Sequence, residues 1–255
     1  MVDRQFREPR LAEVYDAVCA GRDDFTFYLP LVMAAGSVLD VGCGTGELLH
    51  RARGAGHRGR LCGLDPAWAM LDQARSRADI EWNLGDLGSI DADQSFDLVV
   101  MTAHAFQVLL ADDDIHAALA TIRSLLGERG RFVFETRNPA ARAWEAWTPD
   151  HAVEVVHAGA LVRMVHQVDA VDGDLVTLTS TYTCPSWDAP EQSVSTLRFL
   201  DARALAAFLA GASLAVEAQF GDWDRRPIAT TSPEIITVAR PAGRRGTAWW
   251  SSAPG

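Results

Sequence analysis

Over the first 140 residues, short apolar runs alternate with stretches of helical periodicity. Leu11, Val14, Tyr15 and Val18 recur at helical spacing, which predicts a helix over 11–20 in an N-terminal segment of helices around a turn. The run SVLDV at 37–41, bounded by Gly36 and Gly42, predicts a buried strand, and a helix follows over 45–55. Residues 60–64 (RLCGL) predict the next strand, and 66–77 the next helix, with Pro66 in its first turn. Further strands are expected at 80–83, 96–101 and 131–135, with a helix at 112–126 between the last two. That helix opens with three aspartates, which favour the helix dipole, and closes near Gly127. Strand and helix alternating at this spacing mean βαβ units, hence a parallel sheet with helices on both faces.

Beyond residue 152 the period changes to two. Residues 151–157, 161–171 and 175–183 alternate apolar and polar, and Asp172-Gly173-Asp174 is a hairpin turn signal between two of them. A small antiparallel sheet at 151–199 is therefore expected. A helix at 201–209, with Asp201 as N-cap, precedes two strands at 214–220 and 234–239 that close the main sheet as an antiparallel edge. The expected fold is α/β: a Rossmann-like, doubly wound, seven-stranded sheet with an antiparallel last strand and a small inserted antiparallel β lid. Its expected organisation is capping helices at 1–35, the core at 36–150, the lid at 151–199, the end of the core at 200–240 and a disordered tail at 241–255. The tail is rich in Gly, Pro, Ser and Arg.

Composition removes several chemistries. All 23 basic residues are arginine. Without lysine there is no Schiff base, no pyridoxal anchor and no P-loop. The net charge of −11 argues against nucleic acid as a partner, since phosphate binding needs a cationic surface. Cys19, Cys43, Cys62 and Cys184 form no CxxC pair, and with no signal peptide in view they are expected as free thiols in the cytoplasm. No apolar run reaches the length of a membrane span. His151, His157 and His166 have no metal-ligand spacing, so no metal is expected.

The sharpest chemistry lies in DVGCGTG at 40–46. Its three glycines, Gly42, Gly44 and Gly46, sit between a buried strand and a helix, where the backbone can approach a nucleotide-like ligand. The dinucleotide pattern GxGxxG fails in both registers, because Glu47 or Leu49 stands where its third glycine belongs. Asp40 suits an amine or other cation. Asp65, about 20 residues on, is placed to accept from ribose hydroxyls. Asp86 could accept from an adenine amino group while the Leu87 backbone reads the ring edge. Together they describe a ligand with an amino-acid end, a ribose and an adenine.

DVGCGTG, GLDPAWAMLDQA, GDL, FDLVVM and LLGERGRFVFE, in this order and spacing over 36–136, resemble the class I S-adenosylmethionine (SAM)-dependent methyltransferases. The inserted hairpin region and the closing stretch at 197–238 resemble their small-molecule branch. The resemblance implies SAM as cofactor and S-adenosylhomocysteine (SAH) as product. It implies that Asp40, Gly42, Gly44 and Gly46 surround the methionine part, that Tyr15 touches the methionine end or the acceptor, and that Cys43 and Thr102 also bind the cofactor. Asp65 would hold the ribose, Asp86 and Leu87 the adenine, and Pro66 and Trp68 would pack on the adenine.

On the acceptor side His104 is the candidate general base, because its ordinary pKa lies near neutrality. Gln107 and Arg137 are candidates to bind the acceptor, Arg137 through an acidic group. Trp144, Trp147, Trp187 and Trp223 could line an apolar acceptor pocket, or simply pack the lid. No Asn-Pro-Pro-Tyr motif follows the fourth strand, which lowers nucleic-acid or protein methylation further. The expected function is methyl transfer to O, N or C of a small molecule, in secondary metabolism. The alternatives are a SAM-binding catalyst of a non-methylating reaction such as cyclisation, and a non-catalytic binding module. The inserted sheet is a candidate homodimer surface, and Trp249 and Trp250 have no assigned role.

Overall fold

The computed structural model describes residues 2–91 and 93–243. Helices α1 (Arg4–Arg7), α2 (Pro9–Val18) and α3 (Asp24–Ala34) lead into β1 (Ser37–Val41). The chain continues through α4 (Glu47–Gly54), β2 (Arg60–Asp65), α5 (Trp68–Ala74), β3 (Glu81–Leu84), β4 (Phe96–Met101), α6 (Asp112–Leu125) and β5 (Leu126–Arg137). Four strands follow: β6 (Val153–His157), β7 (Ala160–Asp172), β8 (Leu175–Thr183) and β9 (Glu191–Arg198). The chain then returns through α7 (Ala202–Gly211), β10 (Leu214–Phe220) and β11 (Glu234–Pro241).

The main sheet has seven strands in the order β10-β11-β5-β4-β1-β2-β3. β1 to β5 run parallel, and β11 is antiparallel to both its neighbours. The antiparallel strand therefore lies inside the sheet, between β5 and β10, rather than at the edge. Successive side chains of a strand point to opposite faces, so both faces of this sheet need cover. On one face Leu39, Val41, Val99, Phe132 and Phe134 meet Ile115, Leu119 and Ile122 of α6 and Leu205 and Leu209 of α7. On the other, Val38, Leu98, Val100, Val133 and Ile236 meet Phe27, Tyr28 and Val32 of α3 and Leu48 and Leu49 of α4. Each large apolar side chain fully buried there contributes roughly 1.5–3 kcal/mol.

The second sheet, β6-β7-β8-β9, is antiparallel throughout. Its inner face packs on α2: Leu11 against Met164 and Tyr182, and Val14 against Val162 and Cys184. Gln5 ties it further. The Gln5 backbone N–H donates to Ser193 Oγ at 3.0 Å, its amide to Ser195 Oγ at 3.4 Å, and Tyr182 Oη donates to its oxygen at 3.1 Å. The N-terminal helices thus bridge the two sheets.

Three local expectations change. Pro66 precedes its helix instead of starting it, because Asp65 Oδ1 accepts from Ala67 N–H at 2.8 Å and holds 65–67 in a turn, so α5 begins at Trp68. β5 starts at Leu126, where a helix end was expected. Its ladder slips between Phe96↔Leu126 and Leu98↔Arg131, which absorbs the glycine-bearing stretch between. β9 was not singled out in the sequence, because Ser193 and Ser195, not apolar residues, face inward and bond Gln5. Pro241 belongs to β11, while residues 244–255, with Trp249 and Trp250, lie outside the described residues.

Candidate active site

The glycine loop leaves the carboxyl end of β1 beside that of β2. Gly42 and Cys43 N–H groups both donate to Leu64 O, at 2.8 and 3.1 Å, and Gly46 N–H donates to Cys43 O at 2.9 Å. The loop therefore curls back over the sheet edge. Gly46 caps α4 with φ 75°, and a Cβ there would stand 2.3 Å from the Trp82 ring, so only glycine fits. Gly44 N–H donates to Asp65 Oδ2 at 2.8 Å. Asp65 thus braces loop and turn at once, using one lone pair of each oxygen and keeping the others.

Asp40 lies under this loop, 1% exposed, and neither carboxylate oxygen has a hydrogen-bond partner. Burial pushes its pKa up to about 7; Arg22 nearby pulls it down and Asp65 pushes it up. A buried carboxylate without a donor costs roughly 1–3 kcal/mol, so the position fits a ligand that brings a cationic donor. The amino group of SAM is such a donor. Asp86 Oδ1 accepts from Gly88 N–H at 2.9 Å, capping a short turn, which leaves its other oxygen free of that turn. Leu87 packs on the core beneath, and Pro66, in the turn after Asp65, and Trp68, at the start of α5, are exposed, with Trp68 51% open. The residues present fit an amine, a ribose and a ring laid along β1, β2 and β3.

Helix α2 closes over this end. Asp16 Oδ1 accepts from Thr45 Oγ1 at 2.6 Å, linking helix to glycine loop. Tyr15, one residue earlier, packs edge-on against Phe6 at 5.9 Å, and burial holds its hydroxyl well above the usual pKa. Arg22, on the turn after α2, pairs with Asp24 through two contacts.

The acceptor side forms where β4, β5 and β11 end. Ala103 and His104 both have positive φ, 55° and 62°, strained for non-glycine residues. The strain is held by Glu135, whose Oε1 accepts from His104 N–H at 2.8 Å and whose Oε2 accepts from Tyr28 Oη. Buried Thr102 sits just before, its carbonyl accepting from Ala105 N–H at 3.2 Å. His104 Nε2 meets both oxygens of Glu234 at 3.0 and 3.1 Å. Burial pushes His104 down to about 3, with the Arg137 guanidinium adding to the effect, and pushes Glu234 up to about 8. Both shifts disfavour charge, so near neutral pH an un-ionised Glu234 carboxyl faces a neutral ring.

Gln107 is 1% exposed and fixed at both ends. Its amide donates to Arg198 O at 3.0 Å, and its oxygen accepts from Arg137 Nη1 at 3.0 Å. The Arg137 guanidinium lies over Trp147 at 5.1 Å. On the inner face of the second sheet, His166 Nδ1 contacts Ser180 Oγ at 2.9 Å, and Arg137 lowers the pKa of His166 further after burial.

The expected residues therefore divide. Asp40, Asp65 and the glycines come together, as do Tyr15, His104, Gln107 and Arg137. Three of the expected tryptophans do not join them. Trp223 packs on Phe27 and Tyr28, each at 6.2 Å; Trp187 sits among Leu11, Val14 and Val18; Trp144 packs edge-on against Phe199 at 4.6 Å. Trp144 borders a separate groove of about 740 Å³ with Pro139, Leu200 and Ala204. Trp147, the fourth tryptophan expected near the lid, is the one that reaches this side, under the Arg137 guanidinium. Glu234 carried no local signal, because only the register Glu234↔Arg137 brings it to the site. No group of three or more His, Cys, Asp or Glu among the described residues is placed to hold a metal.

Residues 38–130 match a family model described as a methyltransferase domain. The malonyl-[acyl-carrier protein] O-methyltransferase of Anoxybacillus flavithermus is 30% identical over 53% of this chain and 54% of its own. The chain thus spans about half the length of that relative. A dTDP-4-amino-2,3,4,6-tetradeoxy-D-glucose N,N-dimethyltransferase of Saccharopolyspora spinosa is 28% identical over 69% of this chain and 72% of its own. Among solved structures, the CcbJ methyltransferase from Streptomyces caelestis superposes with a TM-score of 0.76 over 95% of this chain and 100% of its own, at 21% identity.

Proposed function

We propose that this chain, which belongs to the methyltransferase-domain family through residues 38–130, transfers a methyl group from SAM to O, N or C of a small-molecule acceptor in secondary metabolism. The observation that carries the reading is the Asp40 carboxylate, buried beneath the glycine loop with both oxygens unpartnered. The amino-sugar N,N-dimethyltransferase among the relatives supports a small acceptor.

SAM supplies a methyl already activated on sulfonium sulfur. What remains for the protein is to hold the cofactor, align the acceptor and take a proton where one is lost. Asp40 receives the amino group, the free lone pairs of Asp65 receive the ribose hydroxyls, and Asp86 and Leu87 border the ring. Tyr15 and the Asp16–Thr45 link close the methionine end against water. His104, neutral and oriented through Nε2 by Glu234, presents Nδ1 as its remaining nitrogen. Above about pH 8, where Glu234 ionises, the Nε2–H tautomer is held and Nδ1 can accept the acceptor's proton.

Calorimetric titration with SAM or SAH tests the cofactor; absence of heat at tens of micromolar ligand would sink it. Incubation with candidate acceptors should release SAH. His104→Ala should lower kcat by about 10²-fold or more if Nδ1 takes the proton, and unchanged turnover removes that role.

A further inference from the structure

We propose that the methyl acceptor carries an anionic group, carboxylate or phosphate, that docks on Arg137 beside His104. The inference rests on the methyl-transfer reading of the site and adds the chemical class of its acceptor.

Arg137 ends β5, directly opposite Glu234 of β11 in the ladder. Opposite charges so placed ordinarily pair across the strands. Here they do not: the Glu234 carboxylate is committed to His104 Nε2, and no carboxylate comes within salt-bridge distance of Arg137 among the described residues. Glu135, the other nearby acid, is taken up by Tyr28 Oη and His104 N–H. Arg137 is left with a neutral partner, Gln107 Oε1, which binds both its backbone N–H at 3.3 Å and its Nη1 at 3.0 Å. Gln107 is itself anchored on Arg198 O, so this contact fixes where the guanidinium points.

The surroundings make a binding edge. Trp147 covers one face of the guanidinium at 5.1 Å, which leaves its edge as the donor surface. Burial lowers the Arg137 pKa from its ordinary value, yet part of the residue remains accessible. A deep guanidinium with spare N–H donors and no counter-ion fits a planar anion that can accept two parallel hydrogen bonds. The same guanidinium is close enough to depress the basicity of His104. An anion bound there would partly cancel that field and raise the affinity of His104 for a proton, so acceptor docking and proton removal act at one place.

The test uses phenylacetate and phenyl phosphate as probes and phenylacetamide as the neutral control, titrated by calorimetry into the full chain with and without saturating SAH. At least one anion should bind about 10-fold or more tightly than the amide. Arg137→Gln should reduce that anion to the level of the amide while SAH still binds, and Arg137→Lys should restore part of the preference. Preference for phenylacetate or for phenyl phosphate identifies the source. Equal binding of anion and amide, no anion binding up to tens of millimolar, or an unchanged preference in Arg137→Gln overturns the proposal. Failure of SAH to bind the wild type would overturn methyl transfer instead, and leaves the anion result readable by itself.

Discussion

At the scale of single residues, Asp40 holds an unfavourable state in readiness for a ligand. Its two oxygens have no donor in a buried position, and its pKa stands at about 7. A cationic amine arriving there lowers that pKa, so cofactor binding near pH 6.5 should release a proton. Calorimetry of SAH binding in buffers of different ionisation enthalpy should show this release in the wild type and none in Asp40→Asn. The same substitution removes a buried, unpaired charge. It should therefore weaken SAH binding by about 1–3 kcal/mol while leaving the ligand-free protein as stable or more so. Asp40 and Asp65 were legible in the sequence because their roles depend on position along a strand–loop–helix unit. Glu234 was not, because nothing near it in the chain mentions His104, 130 residues away.

At the scale of elements, the glycine loop and the N-terminal helices set the shape of the site. Gly46→Ala must both adopt φ 75° and push a Cβ into Trp82, at a cost of about 1–3 kcal/mol. A melting curve should fall by roughly 2–4 °C per kcal/mol. Adding Trp82→Ala should recover the steric share but not the backbone share, as a double-mutant cycle would show. Gln5 joins α1 to β8 and β9 through three hydrogen bonds. Gln5→Ala removes the two made by its side chain and should cost about 1–2 kcal/mol, read as faster hydrogen exchange at the β8 and β9 amides ahead of the main sheet. The sequence showed β6, β7 and β8 through their alternation of apolar and polar residues. It concealed β9 because buried serines satisfied by Gln5 look, in one dimension, like surface. The tryptophans were ambiguous for the reverse reason: bulk fits a pocket and a packed interior equally well, and Trp144, Trp187 and Trp223 each pack on neighbouring apolar or aromatic side chains.

At the scale of the whole molecule, the site concentrates carboxyl groups whose burial opposes ionisation. Asp40 and Glu234 titrate near 7 and 8 in the folded protein, above the ordinary carboxyl range. A group with a raised folded pKa contributes fully below its unfolded value, and that stability is lost as pH rises through the folded one. The ligand-free protein should therefore melt at progressively lower temperature from pH 5 to 9, with most of the loss complete by about pH 8. Asp40→Asn together with Glu234→Gln should flatten that slope, and a steep slope surviving both would place its origin elsewhere. The net charge of −11 adds mutual repulsion in the same direction, but salt screens that part and leaves the buried part.

The antiparallel β11, last of the described strands, lies between β5 and β10 rather than at an edge. It brings Glu234 to His104, so the proton-handling pair is assembled from residues made far apart in time as well as in sequence. During synthesis the glycine loop and Asp65 emerge early and can form their unit while translation continues. The acceptor side cannot form until the closing strand has left the ribosome and paired between β5 and β10. A nascent or C-terminally clipped chain would thus present a cofactor cradle without the carboxyl that orients its proton acceptor.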